Sequence, residues 1–275
     1  MEIDFKLLKG ISHIQIPVYV NGEGPFDFTL DTGARATSLS KSLVEKLGIE
    51  TYPDDQREPD SIAHEKARVN ALRIGSEILE EEELWVVDFQ KVLSPCSVNM
   101  GGVIGYTTLK NYRMSVNYRS KVLKLERNHN SRSSEASNLQ WADYEYAGES
   151  HLVEVPVFIN GKGPFEFIVD TGAGATVVTP QLADKLRLSP SSPEEILAVA
   201  PGGSGGVHLT VLKNFAVLSV VQQDVTAVIM NMKRVTPRSS LIRNGILGFT
   251  FLKELEMIID YPAKKIAFND KLADS

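Results

Sequence analysis

Two identical tripeptides, Asp31-Thr32-Gly33 and Asp170-Thr171-Gly172, are the residues of this chain best suited to chemistry. An aspartate that recurs in one setting fits a reaction needing two acids, and metal-free hydrolysis of a peptide bond is such a reaction. It requires a base to take a proton from water, an acid to polarise the carbonyl, and a proton for the leaving nitrogen. Two carboxyl groups held close cannot both ionise, so they share one proton and divide the two roles. Their titrations belong to the pair, and the sequence leaves open which aspartate is the base.

One Asp-Thr-Gly alone says little, because Asp and Gly also build ordinary turns. The neighbours say more. Gly33 and Gly172 leave room for a tight turn whose free N–H groups hold a carboxylate. The hydroxyls of Thr32 and Thr171 can bond back to the backbone and fix the loop.

The tripeptides sit in a duplicated unit. Residues 17–34, PVYVNGEGPFDFTLDTGA, match residues 156–173, PVFINGKGPFEFIVDTGA, at twelve of eighteen positions. A second block, GVIGYTTLKNYRMSVNY at 102–118, matches GILGFTFLKELEMIIDY at 245–261. A unit of about 120 residues is therefore used twice. The boundaries drawn are a first lobe over 1–126, a linker over 127–148 and a second lobe over 149–275. The Ser- and Asn-rich start of the linker supports this, whereas Trp141, Tyr144 and Tyr146 are less linker-like and suit pinning the strand that enters the second copy.

The elements that must position the aspartates are mostly strands. β-Branched runs at 14–20 and 152–159 lead through Asn21-Gly22 and Asn160-Gly161 turns into strands at 26–30 and 165–169. Each hairpin delivers the chain to Asp-Thr-Gly. Ser40 is expected to cap a helix closed by Gly48, and Thr179-Pro180 to start its counterpart. Short helices are expected after Gly105 and Gly248. Further strands are read at 67–74, 84–89, 113–118 and 121–125, and at 207–212, 215–221, 225–231, 255–260 and 265–268. Many short strands with few helices give an all-β, barrel-like class.

Leu30-Asp31-Thr32-Gly33-Ala34 and Val169-Asp170-Thr171-Gly172-Ala173 resemble the active-site loops of retropepsin-like aspartic proteases. Val103-Ile104-Gly105 and Ile246-Leu247-Gly248 are similar to the second signature of that family. The resemblance implies two closed β-barrel lobes facing each other across a cleft, in a pepsin-like pseudo-two-fold arrangement within one chain. It implies an aspartic endopeptidase in which Asp31 and Asp170 form the catalytic dyad around an attacking water. Thr32, Gly33, Thr171 and Gly172 would brace the two loops, and no acyl-enzyme is expected. It places Ala34, Arg35, Ala173 and Gly174 beside the substrate. A glycine-rich flap would be supplied by Gly202, Gly203, Ser204 and Gly205. The first copy offers residues 53–67 at that place, with no glycine, so the two flaps are expected to be unequal. Arg35 at the rim would favour an acidic substrate side chain, or serve as a surface arginine paired with a carboxylate. Three rivals stay open: a peptide-binding protein that kept the fold without turnover, an obligate dimer pairing like lobes, and a purely structural β-protein in which Asp-Thr-Gly only builds turns.

Composition narrows the partners. The 275 residues carry 29 Lys+Arg against 35 Asp+Glu, a net charge of −6, and the 43% apolar content can fill a core. No basic block meets nucleic acid, and no apolar run is long enough for a membrane helix. A peptide or protein substrate is expected, with lobes pairing inside a monomer rather than in an obligate dimer. No cofactor and no metal is expected, because His13, His64, His129, His151 and His208 lack ligand spacing. Cys96 lacks a disulfide partner, and no secretory leader is seen at the start, so a cytoplasmic location is expected. Glu80 to Glu83 reads as a solvated edge or turn, and Trp85 and Trp141 as packing residues.

Overall fold

The computed structural model describes residues 1–8, 10, 12–55, 61–93, 100–127, 139–191, 194–200, 203–232 and 239–270. Cys96 and His129 lie outside these residues. The chain is mostly β, with two closed six-stranded barrels built by the two copies. In the first copy Ile14–Val20 pairs with Glu23–Leu30, and the ring continues through Gly102–Ile104, Ser38–Ser40, Glu77–Val87 and Glu65–Ile74. It closes where Val18 meets Ile74 and Val20 meets Leu72. The second ring runs Val153–Ile159, Lys162–Val169, Gly245–Leu247, Thr176–Val178, Val220–Ile229 and Gly203–Val217. Its closure pairs Val157 with Val217 and Ile159 with Phe215. Closure removes free edges on these strands.

The sequence explains these elements locally. Asn21 and Gly22 both adopt positive φ, at 51° and 86°, as do Asn160 and Gly161 at 52° and 75°, which is the turn geometry that matches strand twist. The Asn21 side chain then accepts from Asn70 N at 2.8 Å and tethers the hairpin to the strand Glu65–Ile74. Ser40 Oγ accepts from Leu43 N at 3.1 Å, capping the helix Lys41–Leu47 that Gly48 ends at φ 62°. In the second copy the helix is Pro180–Leu186, but the Thr179 hydroxyl donates to Arg243 O at 3.3 Å instead of capping it.

A third sheet joins the lobes. Its order is Glu2–Asp4, Val122–Glu126, Arg113–Asn117, Glu256–Asp260, Lys265–Asn269 and Ala142–Asp143. At its centre Ser115 faces Ile258 across an antiparallel pair. These two residues are repeat equivalents, so a local two-fold axis passes between them. Residues that pair with their own counterparts make the two copies face each other.

Two expectations change in detail. The segment read as a linker over 127–148 is structured in its second half. Ala142–Asp143 adds the last strand of the joining sheet, and Glu145–Tyr146 pairs with Val153 and Glu154. Tyr144 is buried and the Arg113 guanidinium lies 4.8 Å over the Trp141 ring, so these aromatics dock rather than span. The strand read over 215–221 is broken: Gly203–Val217 and Val220–Ile229 form a hairpin around Leu218, at φ 51°. Apolar residues on both sides of that turn hide it from composition. Glu80 to Glu83 lies within the strand Glu77–Val87, with Leu79 and Leu84 turned inward and Glu80, Glu81 and Glu83 exposed.

Gly105 and Gly248 lie where each barrel presses on its own Asp-Thr-Gly loop. A Cβ on Gly105 would stand 2.6 Å from Ala36 O and 2.9 Å from Ala34 O. One on Gly248 would collide with Ala175 O. The obstacles are backbone atoms and cannot rotate away. Gly105→Ala is therefore expected to cost about 1–3 kcal/mol, read as a lower urea midpoint; an unchanged midpoint contradicts this packing.

Candidate active site

Each Asp-Thr-Gly loop begins where a barrel strand ends against the second signature. Asp31 N donates to Ile104 O at 3.0 Å and Asp170 N to Leu247 O at 3.1 Å. The loops then meet across the two-fold axis. Thr32 N donates to Thr171 Oγ1 at 3.1 Å, and Thr171 N donates to Thr32 Oγ1 at the same distance. The hydroxyls pass the bond onward, Thr32 to Val169 O at 3.0 Å and Thr171 to Leu30 O at 2.8 Å. Both threonines are buried. Four reciprocal bonds, each worth about 1 kcal/mol net, fasten the loops, and a hydroxyl lost there would strand buried partners.

The grip brings the two carboxyl groups beside each other, near enough for Asp31 to act on the Asp170 carboxyl. Each is also seated against the opposite glycine. A Cβ on Gly33 would lie 2.7 Å from Asp170 Oδ2, and one on Gly172 would lie 2.5 Å from Asp31 Cγ. These glycines are required by close approach, since any side chain would occupy the space of a carboxyl. Asp31 Oδ1 accepts from Gly33 N at 2.8 Å and Ala34 N at 2.9 Å. Asp170 Oδ1 accepts from Gly172 N at 2.8 Å. The Asp170 carboxyl is held well above its ordinary value, first by its removal from water and then by the charge of Asp31.

The remaining expected residues divide. Ala34 and Ala173 line the inner side of their loops, their carbonyls accepting from Tyr106 N and Phe249 N, both at 2.9 Å. Arg35 and Gly174 are exposed. Gly203, Ser204 and Gly205 lie on one arm of a hairpin, paired with Ala200, Val199 and Ala198. Gly202 lies outside the described residues. The first copy forms a shorter hairpin at the matching place, Thr51–Pro53 against Glu65–Ala67. It is tied to the barrel: Tyr52 Oη donates to Glu83 at 2.6 Å, and Lys66 bridges Glu83 at 2.9 Å and Asp54 at 3.3 Å. The flaps are thus unequal in length and in attachment.

Several residues around the dyad escaped the reading of the sequence. His151 Nε2 donates to Gly33 O at 2.9 Å, and His13 lies beside the backbone of Gly172. Tyr118 and Tyr261 are buried repeat equivalents whose phenols feel the dyad. Burial pushes both phenols far up, and the Asp170 charge adds to the push on Tyr118. Tyr106 is raised to about 12, first by burial and then by its bond to Tyr146. The available signals were weak: the tyrosines close the second matched block, and each histidine stands just ahead of the first strand of its copy. Among the described residues no group of three or more His, Cys, Asp or Glu is placed to hold a metal ion, and no helix is long and apolar enough to cross a membrane.

Comparison with known proteins follows the same division into copies. A family model described as aspartyl protease matches residues 16–108 and again residues 155–251. No curated protein matches the chain. Among solved structures, the fold is similar to the crystal structure of basic 7S globulin from soybean, at 8% identity over 98% of this chain and 94% of that one, with a TM-score of 0.56. Conglutin gamma, a basic 7S globulin from lupine seeds, is similar at 9% identity over 98% and 95%, with a TM-score of 0.55. Identity this low carries the fold alone. The family match covers most of the chain and falls once on each barrel with its Asp-Thr-Gly loop: the chain belongs to the aspartyl protease family.

Proposed function

We propose that the protein is an aspartic endopeptidase whose dyad is Asp31 and Asp170, one from each lobe of a single chain. The observation that supports this best is the seating of each carboxyl against the glycine of the opposite loop, with Asp170 held toward its protonated form. Asp31, which accepts two N–H bonds from its own loop, then takes the role of base. Water held between them attacks the scissile carbonyl carbon. Its proton passes to the Asp31 carboxylate, and the Asp170 proton passes to the carbonyl oxygen, forming a neutral gem-diol. Collapse breaks the C–N bond. Asp31 returns its proton to the leaving nitrogen, and a diol hydroxyl returns one to Asp170. Every proton is accounted for and both acids regain their starting states.

The substrate is a peptide or protein entering beneath the hairpin of Ile196–Ala200 and Gly203–Val217. The tied-down first hairpin favours a second reading, in which the same fold binds peptide without turnover. Cleavage of a peptide library at mildly acidic pH separates the two. Inhibition by pepstatin is expected, and Asp31→Asn or Asp170→Asn should each lower kcat/KM by about 10²–10⁴-fold or more. Peptides retained on the protein without any cleavage would favour the binding reading.

The shifted Asp170 also predicts a pH-dependent stability. Its native value lies above the ordinary 3.8. The favourable contribution is therefore complete below that value and is lost as pH rises through the native one, where the folded protein must ionise a crowded acid. Asp170→Asn cannot ionise, so its Tm should gain on wild type as pH rises from about 4 to neutrality. A difference in Tm that stays constant over that interval contradicts the assignment.

A further inference from the structure

His151 and His13 lie in different lobes, each beside the Asp-Thr-Gly loop of the other. His151 comes from the chain entering the second barrel, yet its Nε2 meets Gly33 O of the first loop at 2.9 Å. A carbonyl only accepts, so Nε2 carries the hydrogen. The ring is 7% exposed, and Tyr106 braces it with ring centres 5.5 Å apart. Tyr106 in turn meets Tyr261 edge-on at 5.8 Å and Tyr146 at 5.9 Å. His13, from the first lobe, lies beside the Gly172 backbone of the second loop. Its Nδ1 is buried without a hydrogen-bond partner among the described residues.

The Gly33 carbonyl that accepts from His151 shares one peptide group with Ala34 N. That N–H donates to Asp31 Oδ1 at 2.9 Å. A continuous path therefore runs from the imidazole N–H, through one peptide group, to a dyad carboxylate. Hydrogen bonds in series polarise one another, so a donor on the carbonyl strengthens the N–H that holds Asp31. In the second loop the carboxyl takes its bond from Gly172 N, while Ala173 N meets the main-chain Asp170 O at 3.3 Å. The path to a carboxylate through the peptide is complete in the first loop, the one holding the base.

We propose that His151 is a positioning residue that clamps the first Asp-Thr-Gly loop from the opposite lobe, acting on Asp31 through the Gly33–Ala34 peptide. The alternative is that the imidazole only fills space beside the Tyr106 ring. Filling space requires no particular tautomer, and it requires no donor. The groups facing the dyad from the packed elements are His13, Tyr118 and Tyr261, none of which offers Gly33 O a substitute for the His151 donor.

The proposal deepens the protease reading and rests on it for its kinetic arm alone. Long-range proton–nitrogen NMR of the wild-type protein should show the Nε2–H tautomer at His151; the Nδ1–H tautomer there overturns the proposal even if no variant folds. Amide exchange supplies the second arm. His151→Met, which fills the site without a donor, should speed exchange at Gly33 and Ala34 about tenfold, and His151→Gln, which keeps an N–H, should restore most of the protection. Unchanged exchange in folded His151→Met also overturns it. In the kinetic arm kcat should fall about tenfold in His151→Met with KM nearly constant, and His151→Gln should recover most of it. If wild type cleaves nothing while the first two arms hold, the protease reading fails and the clamp stands. If wild type cleaves and folded His151→Met loses nothing in exchange or kcat, the clamp fails and the protease reading stands.

Discussion

Two carboxyl groups in contact repel one another whenever both are charged, and a chain folds around such a pair only if other bonds hold it there. The reciprocal threonine bonds supply that hold. Thr32 and Thr171 each donate and accept across the local two-fold axis, and their hydroxyls end on carbonyls of the opposite strand ends. Because both are buried, neither bond can be traded for water without cost. The aspartates come one residue earlier in each loop, so fixing the threonines fixes the carboxyls. In the proposed reaction one shared proton relieves the repulsion, and the same proton is what acid–base hydrolysis consumes and regenerates.

Duplication makes the grip symmetric, and sequence divergence makes its surroundings unequal. The first loop offers its carboxylate two N–H groups, and the second carboxyl is the one displaced toward its neutral form. The hairpins differ in the same sense. A Tyr52, Lys66 and Glu83 network fastens the short first hairpin to its barrel. The second is an arm of five paired positions between Ile196–Ala200 and Gly203–Val207. A symmetric floor under an asymmetric cover suits a substrate that has a direction, as a peptide chain does.

Much of this was legible in the residues because the repeat reports itself. Matching blocks located both loops, the Asn-Gly turns and the second signature, and close approach at Gly33, Gly105, Gly172 and Gly248 accounts for their glycines. What escaped was non-local. His13 and His151 stand 138 residues apart, one fewer than the 139 that relate the loops, so only a gapped alignment of the two copies pairs them. The His151 contact depends on one lobe reaching the loop of the other, which periodicity does not encode. The hairpin at Leu218 escaped because a two-residue turn between apolar strands carries no Gly or Pro. The second half of the supposed linker escaped in part because its strands are two residues each, too short for alternation to register.

The claim beneath all of this is that Asp31 and Asp170 hold a single proton between them. Carboxyl-carbon NMR of the aspartates, followed through an acid titration of the free protein, reads it directly. The account predicts two coupled steps seen at both residues, the upper one well above the ordinary carboxylate range and carried chiefly by Asp170. Two independent titrations, both within that ordinary range, would contradict it.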